Sequence, residues 1–530
     1  MFDILIKNGI IIDGTGKPRY KNDIGIIGDT IVDIGLLDER EAVKTIDAQG
    51  LIIAPGFIDC HGHSDIVAWT SSNYDCKVQQ GVTTEVIGSC GLSLAPCRDE
   101  YISTLDQYLQ AIKCGEEFEW TWRSYRQFLD MLEKKEFPNN LIPLVGQGTI
   151  RVAVMGFATR EPSDQELEDM RNLTREAMEA GVHGLSTGLV YPPGNYTETD
   201  EIISLCKVVG DFGGVYSTHI RNESHRVIEA VKEAIFIAEQ SQASLLISHF
   251  KAMGKANWGK VNTTLGLVEE ANKKGQKVWV DQYPYTANST LMNALVPPKA
   301  MEGGVTALLE RLKDPQKRKD IIHTIENIDD GTWENFVLDA GGWDGTLICS
   351  LPSHPELEGK NVSEIAKSLN KEPGDLVADL LIEQKGSGAV VTLTMSDEDV
   401  KQVMSHPAQV VGSDGLPSLG KPHPRAYGAF PRVLGKYCRE EKTLTLEEGV
   451  RKMTGATAEI FNLQDRGTLV KGKKADITIF NPETIIDKAT YTEPRQNPVG
   501  ISRVIINGKL SVENGKFLNQ NQGKVLKRTN

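Results

Sequence analysis

Short apolar stretches with strand-like alternation occupy both ends of the chain. The stretches are residues 3–9, 10–14, 23–29, 30–35, 467–472, 475–480 and 504–508. Asn-Gly, Asp-Gly and Gly-Asp pairs between them are typical of tight turns that join strands. We therefore expect residues 1–54 and 466–530 to fold together into one small β-sandwich domain.

Between these ends, residues 55–465 alternate apolar strands with helices, such as those expected at 164–180 and 223–240. Eight strand candidates can be counted. They end near His63, Cys90, Gly148, Tyr191, His219, His249, Tyr283 and Asp414. Eight successive β/α units predict an α/β fold, a TIM (β/α)8 barrel. An open doubly wound sheet would need a glycine-rich phosphate loop after its first strand, whereas this strand ends in histidines.

One connection is longer than a plain crossover requires. About 120 residues separate Tyr285 from the last predicted strand, where one helix and two turns would suffice. We interpret residues 286–405 as an insertion, with helices expected at 304–313 and 362–369. Its length leaves two interpretations open: a lid over the barrel mouth, or a structural excursion with no part in closure.

Charge and composition exclude several classes of protein. The chain has 530 residues, a net charge of −14 and a pI near 5.4. This acidic balance argues against nucleic acid or a membrane surface as a partner. No stretch approaches the roughly 18 apolar residues of a membrane span, and the N-terminus lacks a signal-peptide pattern. Eight cysteines without CxxC pairs indicate no disulfide framework. We expect a cytoplasmic enzyme acting on a small molecule, with its oligomeric state left open.

Side chains that can bind metal stand at the ends of five predicted strands. They are His61 and His63 on the first strand, Cys90 on the second, His219 on the fifth, His249 on the sixth and Asp414 on the eighth. In a β/α barrel these strand ends form the active-site face. Imidazole, thiolate and carboxylate are zinc ligands, and a catalytic zinc ion lowers the pKa of its bound water to about 7. Asp414 is the candidate base for the proton of that water.

Motifs along the whole chain carry a family resemblance. The segment PGFIDCHGH (55–63), the later histidines, the last-strand aspartate and the closing GTLVKGKKADITIF (467–480) are similar to the amidohydrolase superfamily. Five further segments are GSCG (88–91), GLSTGLVYPP (184–193), STHIRNE (217–223), SHFK (248–251) and GSDG (412–415). They more closely resemble the N-acyl-D-amino-acid deacylases, or D-aminoacylases.

This resemblance implies zinc-dependent hydrolysis of N-acyl-D-amino acids to a carboxylate and a free D-amino acid. In that family a cysteine replaces the carboxylated lysine of other amidohydrolases, which fits Cys90. The tight zinc site would consist of Cys90, His219 and His249, and a second, weaker site of His61 and His63. Asp414 would be the catalytic acid and base. Gln147 stands where many relatives are expected to carry histidine, which leaves the third strand's contribution open.

An amide substrate with a free carboxylate requires a cationic clamp. Lys251 lies two residues past His249 and hence on the same strand face. Arg425 lies on the loop after the last strand. The resemblance implies that the substrate's carboxylate is bound by Lys251, Tyr283 and Arg425, with Tyr191 and Ser289 nearby.

The stretch at 291–298 bears on which D-amino acid is accepted. It is apolar, with Lys299 only at its end. Relatives that act on acidic D-amino acids are expected to carry an extra cation for the side chain. We therefore expect a neutral or hydrophobic D-amino acid, while the acyl group stays open.

Two other functions are carried as alternatives. A cyclic-amide amidohydrolase resembling dihydroorotase or hydantoinase is expected to bridge two metal ions with a modified lysine, and no lysine stands near the equivalent strand end. A catalytically inactive barrel that serves in an assembly should have lost ligands or the aspartate, and here all are present.

Overall fold

Eight parallel strands form a closed barrel at the centre of the molecule. The computed structural model describes residues 1–70, 74–113, 116–416 and 420–529. The barrel strands are β1 (Phe57–Asp59), β2 (Val82–Ile87), β3 (Asn140–Pro143 and Val145–Gly146), β4 (Gly184–Gly188), β5 (Val215–His219), β6 (Ser244–Ile247), β7 (Val278–Gln282) and β8 (Gln409–Val411). Each pairs in parallel with the next. A parallel bridge between Gly62 and Gly415 joins the ends of β1 and β8. The predicted TIM (β/α)8 barrel is confirmed.

Helices follow the barrel strands. They are Asp65–Thr70, Ile102–Tyr108, Gln110–Lys113, Tyr125–Leu132, Gln147–Met155, Asp164–Ala180, Thr199–Asp211, Val227–Ser241, Val261–Lys273, Asp397–Ser405, Arg425–Arg432, the π-helix Val433–Glu440, Leu446–Lys452 and Gly455–Ile460. The helix expected at 164–180 has those bounds. Ser163 and Glu166 form a capping box at its start, and Gly181 ends it with a left-handed φ of 106°.

The start expected for the helix at 223–240 was wrong. The side-chain oxygen of Asn222 accepts hydrogen bonds from the backbone N–H groups of Ser224 and Arg226. This Asx turn satisfies donors that a helix would otherwise use, so the helix begins only at Val227. The turn keeps the segment after β5 at the barrel rim.

Strands from both chain ends build two facing sheets. In order, the seven-stranded sheet contains Lys516–Phe517, Lys509–Glu513, Ile501–Ile506, Ile477–Phe480, Ile52–Pro55, Ile10–Ile11 and Tyr20–Lys21. The four-stranded sheet contains Thr30–Gly35, Asp23–Ile27, Phe2–Lys7 and Ala42–Asp47. Buried isoleucines of both sheets, including Ile6, Ile24, Ile53 and Ile477, pack into one core. The β-sandwich built from both termini is confirmed.

The long connection between β7 and β8 has a hydrophobic core of its own. Its antiparallel sheet contains Asn288–Leu291, Ala389–Thr392 and Thr346–Ser350. Its helices are Gly304–Lys313, Pro315–Asn327, Phe336–Asp339, Val362–Leu369 and Pro373–Glu383. Leu295, Leu308, Ile365 and Leu380 are among the residues of that core. The first and fourth of these helices match the predicted spans.

Among the described residues, no helix has the length and apolar character needed to cross a membrane. Seven cysteines are buried and free. The eighth, Cys114, lies outside the described residues. Buried thiols of this kind behave as small apolar side chains unless a neighbouring group activates them.

Candidate metal centre and active site

The six side chains expected at the strand ends come together at one end of the barrel. His61 and His63 follow β1, Cys90 follows β2, His219 ends β5, His249 follows β6, and Asp414 follows β8. All six are buried. Parallel strands bring residues far apart in sequence to one rim, which explains this gathering.

Cys90 is the centre of the cluster. Its Sγ atom is 3.3 Å from His61 Nε2, 3.6 Å from His249 Nε2 and 4.0 Å from His219 Nδ1. Three overlapping sets have their ligand atoms within 4.8 Å of one another. They are His61, His63 and Cys90; Cys90, His219 and His249; and His61, His249 and Asp414. A buried thiolate with imidazoles fits zinc, because these are its preferred ligands.

Three of these residues adopt the left-handed backbone conformation that side chains other than glycine seldom take. The φ angles are 53° at Cys90, 34° at His249 and 48° at Asp414. Each lies just after a barrel strand. Such conformations cost free energy and concentrate at functional sites. Their coincidence at three candidate residues marks this rim as the site.

The electrostatics of the cluster favour the ionised thiol. Burial by itself would raise the pKa of Cys90, but His61, His219 and His249 outweigh it and hold that pKa well below its usual range. A thiolate is the form of cysteine that binds metal. By contrast, burial alone raises the pKa of Cys206 above its usual range.

Beside the cluster lies a cavity of about 190 Å³. All five residues expected around the substrate line it: Lys251, Tyr283, Arg425, Tyr191 and Ser289. Lys251 and Arg425 are each only 5% exposed, which excludes the ordinary role of these residue types as solvated surface charges. The Arg425 guanidinium lies 4.5 Å from the centre of the Tyr283 ring. The rings of Tyr191 and His219 are 5.1 Å apart.

Gln147, in contrast, takes no part in the cluster. It begins the helix after β3, and its side-chain amide donates hydrogen bonds to Thr197 Oγ1 at 3.0 Å and to Glu201 Oε1 at 3.3 Å. The third strand therefore supplies a buried structural residue at this position.

Comparison with known proteins agrees with this geometry. The profile of the Amidohydrolase family matches residues 44–259 and 371–512. The chain belongs to this family. It is 35% identical over 528 residues to a D-aminoacylase from Alcaligenes xylosoxydans xylosoxydans, covering 100% of this chain and 98% of that protein. An N-acyl-D-glutamate deacylase of the same organism is 35% identical over 508 residues, or 96% of this chain and 93% of the relative.

A solved structure extends the likeness to three dimensions. The N-acyl-D-glutamate deacylase from Bordetella bronchiseptica, complexed with zinc and a phosphonate mimic of the tetrahedral intermediate, has a TM-score of 0.85. Sequence identity is 32%, and 99% of each chain is covered. Within the amidohydrolases, this chain therefore belongs with the N-acyl-D-amino-acid deacylases, as its motifs implied.

Two carboxylates of this amidohydrolase were missed by the sequence reasoning. Asp281, at the end of β7, lies with Oδ2 3.1 Å from His61 Nδ1, and its Oδ1 accepts the backbone N–H of His249 at 2.7 Å. Glu223, four residues after His219, lies with Oε1 2.8 Å from His249 Nδ1. Both could have been found, since Asp281 is a strand-end residue and Glu223 closes the STHIRNE motif.

Proposed function

We propose that this protein is a zinc-dependent hydrolase that cleaves N-acyl-D-amino acids into a carboxylate and a free D-amino acid. One observation carries the proposal: Cys90, His219 and His249 converge beside Asp414, in a cavity that also holds two buried cations. The names of the relatives supply the D configuration of the substrate.

Two metal positions are part of the proposal. Cys90, His219 and His249 would hold one zinc ion tightly, and His61 and His63 a second one more weakly. The first set contains the thiolate, whose negative charge offsets part of the charge of the ion. The two histidines of the second set are neutral ligands, and the second site gains a negative ligand only if it shares Cys90. When bound, zinc would supply Lewis acidity toward the amide carbonyl and lower the pKa of a water molecule.

Asp414 acts as the general base and then the general acid of the reaction. Its Oδ1 lies 3.1 Å from His63 Nε2, and its Oδ2 forms an ion pair with Arg425 Nη1 at 2.7 Å. The carboxylate faces the cavity, where it can take a proton from the attacking water and return it to the leaving amine. Because one carboxylate serves both transfers, no other acid is needed at the amide nitrogen.

The substrate's carboxylate is oriented by Lys251, Tyr283 and Arg425, with Tyr191 and Ser289 nearby. Two cations and a phenol suit an anionic group, and they lie on the side of β6, β7 and β8. Cys90, His219 and His249 line the same cavity, so the amide of a bound substrate can reach them.

The substrate's side chain is neutral or hydrophobic in this proposal. The remaining wall of the cavity is largely apolar. It includes Leu92, Ile112, Phe157, Leu291, Met301, Val305, Phe336 and Ala389. Among the described residues that line it, Lys251 and Arg425 are the cations besides the histidines, and both serve the α-carboxylate. An acidic side chain would thus lose its water without gaining a partner.

A substrate panel tests the proposal. Purified enzyme is assayed with N-acetyl-D-methionine, N-acetyl-L-methionine, N-acetyl-D-glutamate, dihydroorotate and a hydantoin. We expect kcat/KM for N-acetyl-D-methionine to exceed each other value by at least about tenfold, or about 1.4 kcal/mol of transition-state binding. Faster turnover of glutamate would overturn the choice of side chain. Turnover of only a cyclic amide would overturn the deacylase, and zinc-loaded protein inactive on every substrate would favour an assembly role.

We also propose a cytoplasmic location. Its support is the set of seven buried, free cysteines, which is ordinary for a protein of a reducing compartment. Cell fractionation with an antibody tests this, and recovery in the secreted fraction would contradict it.

A further inference from the structure

One carboxylate lies behind two of the candidate zinc ligands. Glu223 Oε1 is 2.8 Å from Nδ1 of His249, and Glu223 Oε2 is 3.6 Å from Nε2 of His219. The side chain of Glu223 is 3% exposed, so solvent does not compete for these contacts. Glu223 thus faces both rings from the side away from Cys90.

The two rings turn different nitrogens toward Cys90. His249 presents Nε2 at 3.6 Å from Cys90 Sγ, whereas His219 presents Nδ1 at 4.0 Å. A nitrogen that binds metal carries no proton, so the other nitrogen of the same neutral ring must carry it. In both rings, that other nitrogen is the one facing Glu223.

We propose that Glu223 is a positioning residue of the metal centre, because one carboxylate selects the tautomer of both His219 and His249. By accepting from Nδ1–H of His249 and attracting Nε2–H of His219, it leaves the opposite nitrogen of each ring free for the ion. Glu223 also borders the substrate cavity and pairs with Lys251, so its effect on the two histidines is measured by zinc affinity and not by turnover.

Lys251 makes this selection necessary. Its Nζ atom lies 2.9 Å from His249 Nδ1 and 2.7 Å from Glu223 Oε1. An ammonium group only donates hydrogen bonds. Without Glu223, Lys251 would donate to Nδ1 and keep the ring proton on Nε2, the nitrogen that the ion needs. Glu223 accepts from both groups and removes this competition.

The insertion fixes Glu223 in turn. The backbone N–H of Glu223 donates a hydrogen bond to the Glu334 carboxylate, and Glu334 is 6% exposed. Ligand-type atoms of His219, Glu223 and Glu334 lie within 4.8 Å of one another. The segment between β7 and β8 therefore reaches the groups that surround the metal cluster, beyond lining the substrate cavity.

The test is zinc affinity, measured by competition with a chromogenic chelator, in Glu223→Gln. We expect zinc to bind about 10- to 100-fold more weakly than in wild type, the usual loss when a group that orients a ligand is removed. Glu233→Gln is the matched control: Glu233 pairs with Arg221 at 2.9 Å, away from the cluster, and its loss should leave zinc affinity within about twofold. Zinc affinity in Glu223→Gln equal to that of the control would overturn the proposal.

A second variant keeps the proposal testable if the amide variant fails to fold. Glu223→Asp retains the charge but shortens the side chain by one methylene, and it should also weaken zinc binding by about tenfold. Unchanged binding in a folded Glu223→Asp protein would equally overturn the proposal. The cobalt-substituted protein gives a further readout, since the visible spectrum of thiolate-bound cobalt should change in these variants and not in the control. The inference rests on the proposed metal site but not on the substrate, because binding is read without turnover.

Discussion

At the scale of single residues, the cavity holds a buried ion pair whose members have different tasks. Arg425 Nη1 lies 2.7 Å from Asp414 Oδ2. Burial opposes ionisation of Asp414, but Arg425 and His61 outweigh it, and the pKa of this carboxyl lies well below its usual range. The carboxylate is therefore ionised at neutral pH, and it is a weak base while Arg425 is its partner. A substrate carboxylate that approaches Arg425 shares the cation with Asp414 and so raises its basicity.

Asp414→Asn tests the role of this carboxylate. The amide has nearly the same shape but cannot accept and return a proton, so we expect kcat to fall by about 10²- to 10⁴-fold. The zinc content should stay that of wild type, because Cys90, His219 and His249 are intact. Kinetics and elemental analysis of the same preparation measure both quantities.

The matched control is Asp487→Asn. Asp487 is buried in an ion pair with Arg432 at 3.1 Å and does not line the cavity. We expect its kcat to stay near that of wild type. An active Asp414→Asn enzyme would remove Asp414 from the mechanism, and a loss of zinc would make it a ligand instead.

The strand-end rule located the candidate ligands, because each lies within three residues of a predicted barrel strand. Cys90, His219 and Asp414 could be located in this way from periodicity alone. The rule could not say which nitrogen of a histidine faces the ion, since that depends on Glu223. Glu334 could not be found at all, because only the folding of the insertion brings it to the cluster.

At the scale of elements, one buried lysine links the strands at the seam between β1 and β8, where the barrel closes. Lys77 Nζ lies 2.6 Å from Asp59 Oδ2 on β1 and 3.0 Å from Glu85 Oε1 on β2, and it donates to Ser413 Oγ at 2.7 Å just after β8. Asp59 in turn accepts the backbone N–H of Ser413 at 2.8 Å. This network fixes the residues next to Asp414 and His61.

Lys77→Met should therefore be strongly destabilising. Removing the cation leaves two buried carboxylates without a cationic partner, which costs about 3–5 kcal/mol of stability. Thermal unfolding followed by circular dichroism measures the loss. Lys113→Met is the control, because the partners of Lys113, Asp106 and Glu117, are more exposed and such a pair contributes about 1 kcal/mol or less. Equal effects of the two substitutions would show that the seam does not depend on Lys77.

The insertion is an element whose existence the sequence predicted but whose role it left open. Ser289, Met301, Val305 and Phe336 of this segment line the cavity, which supports a lid at 286–405. Gly303 and Gly304 have φ angles of 84° and 83° beside the cavity, a conformation suited to a hinge.

Hydrogen exchange tests the lid. Saturating Asp414→Asn protein with N-acetyl-D-methionine should slow amide exchange at least about tenfold at 289–305, because closure buries these amides. The helix Pro373–Glu383, in the core of the insertion, should serve as an internal control and change little. Equal protection along the whole insertion, or none at all, would favour a static wall.

At the scale of the whole molecule, the β-sandwich built from the two chain ends is connected directly to the barrel. Ile52–Pro55 pairs with Ile477–Phe480 in the β-sandwich and runs directly into β1, which leads to His61. Turn pairs and alternation predicted this sandwich, because they are local properties of the sequence. The boundaries proposed at 54 and 466 stay a prediction, and they could not be refined, since the pairing of the two ends is a long-range contact.

The metal ion should contribute to the stability of this whole arrangement. Its proposed ligands come from β2, β5 and β6, so a bound ion links strands that are distant in sequence. A ligand present at a thousand times its Kd stabilises the folded state by about 4 kcal/mol. We therefore expect chelation to lower the thermal midpoint by roughly 5 °C or more, and added zinc to restore it. In Cys90→Ser, which weakens the site, neither treatment should move the midpoint by as much. A wild-type midpoint that ignores chelator while zinc is demonstrably lost would mean that the strand ends are held by packing and hydrogen bonds alone, with the ion serving only chemistry.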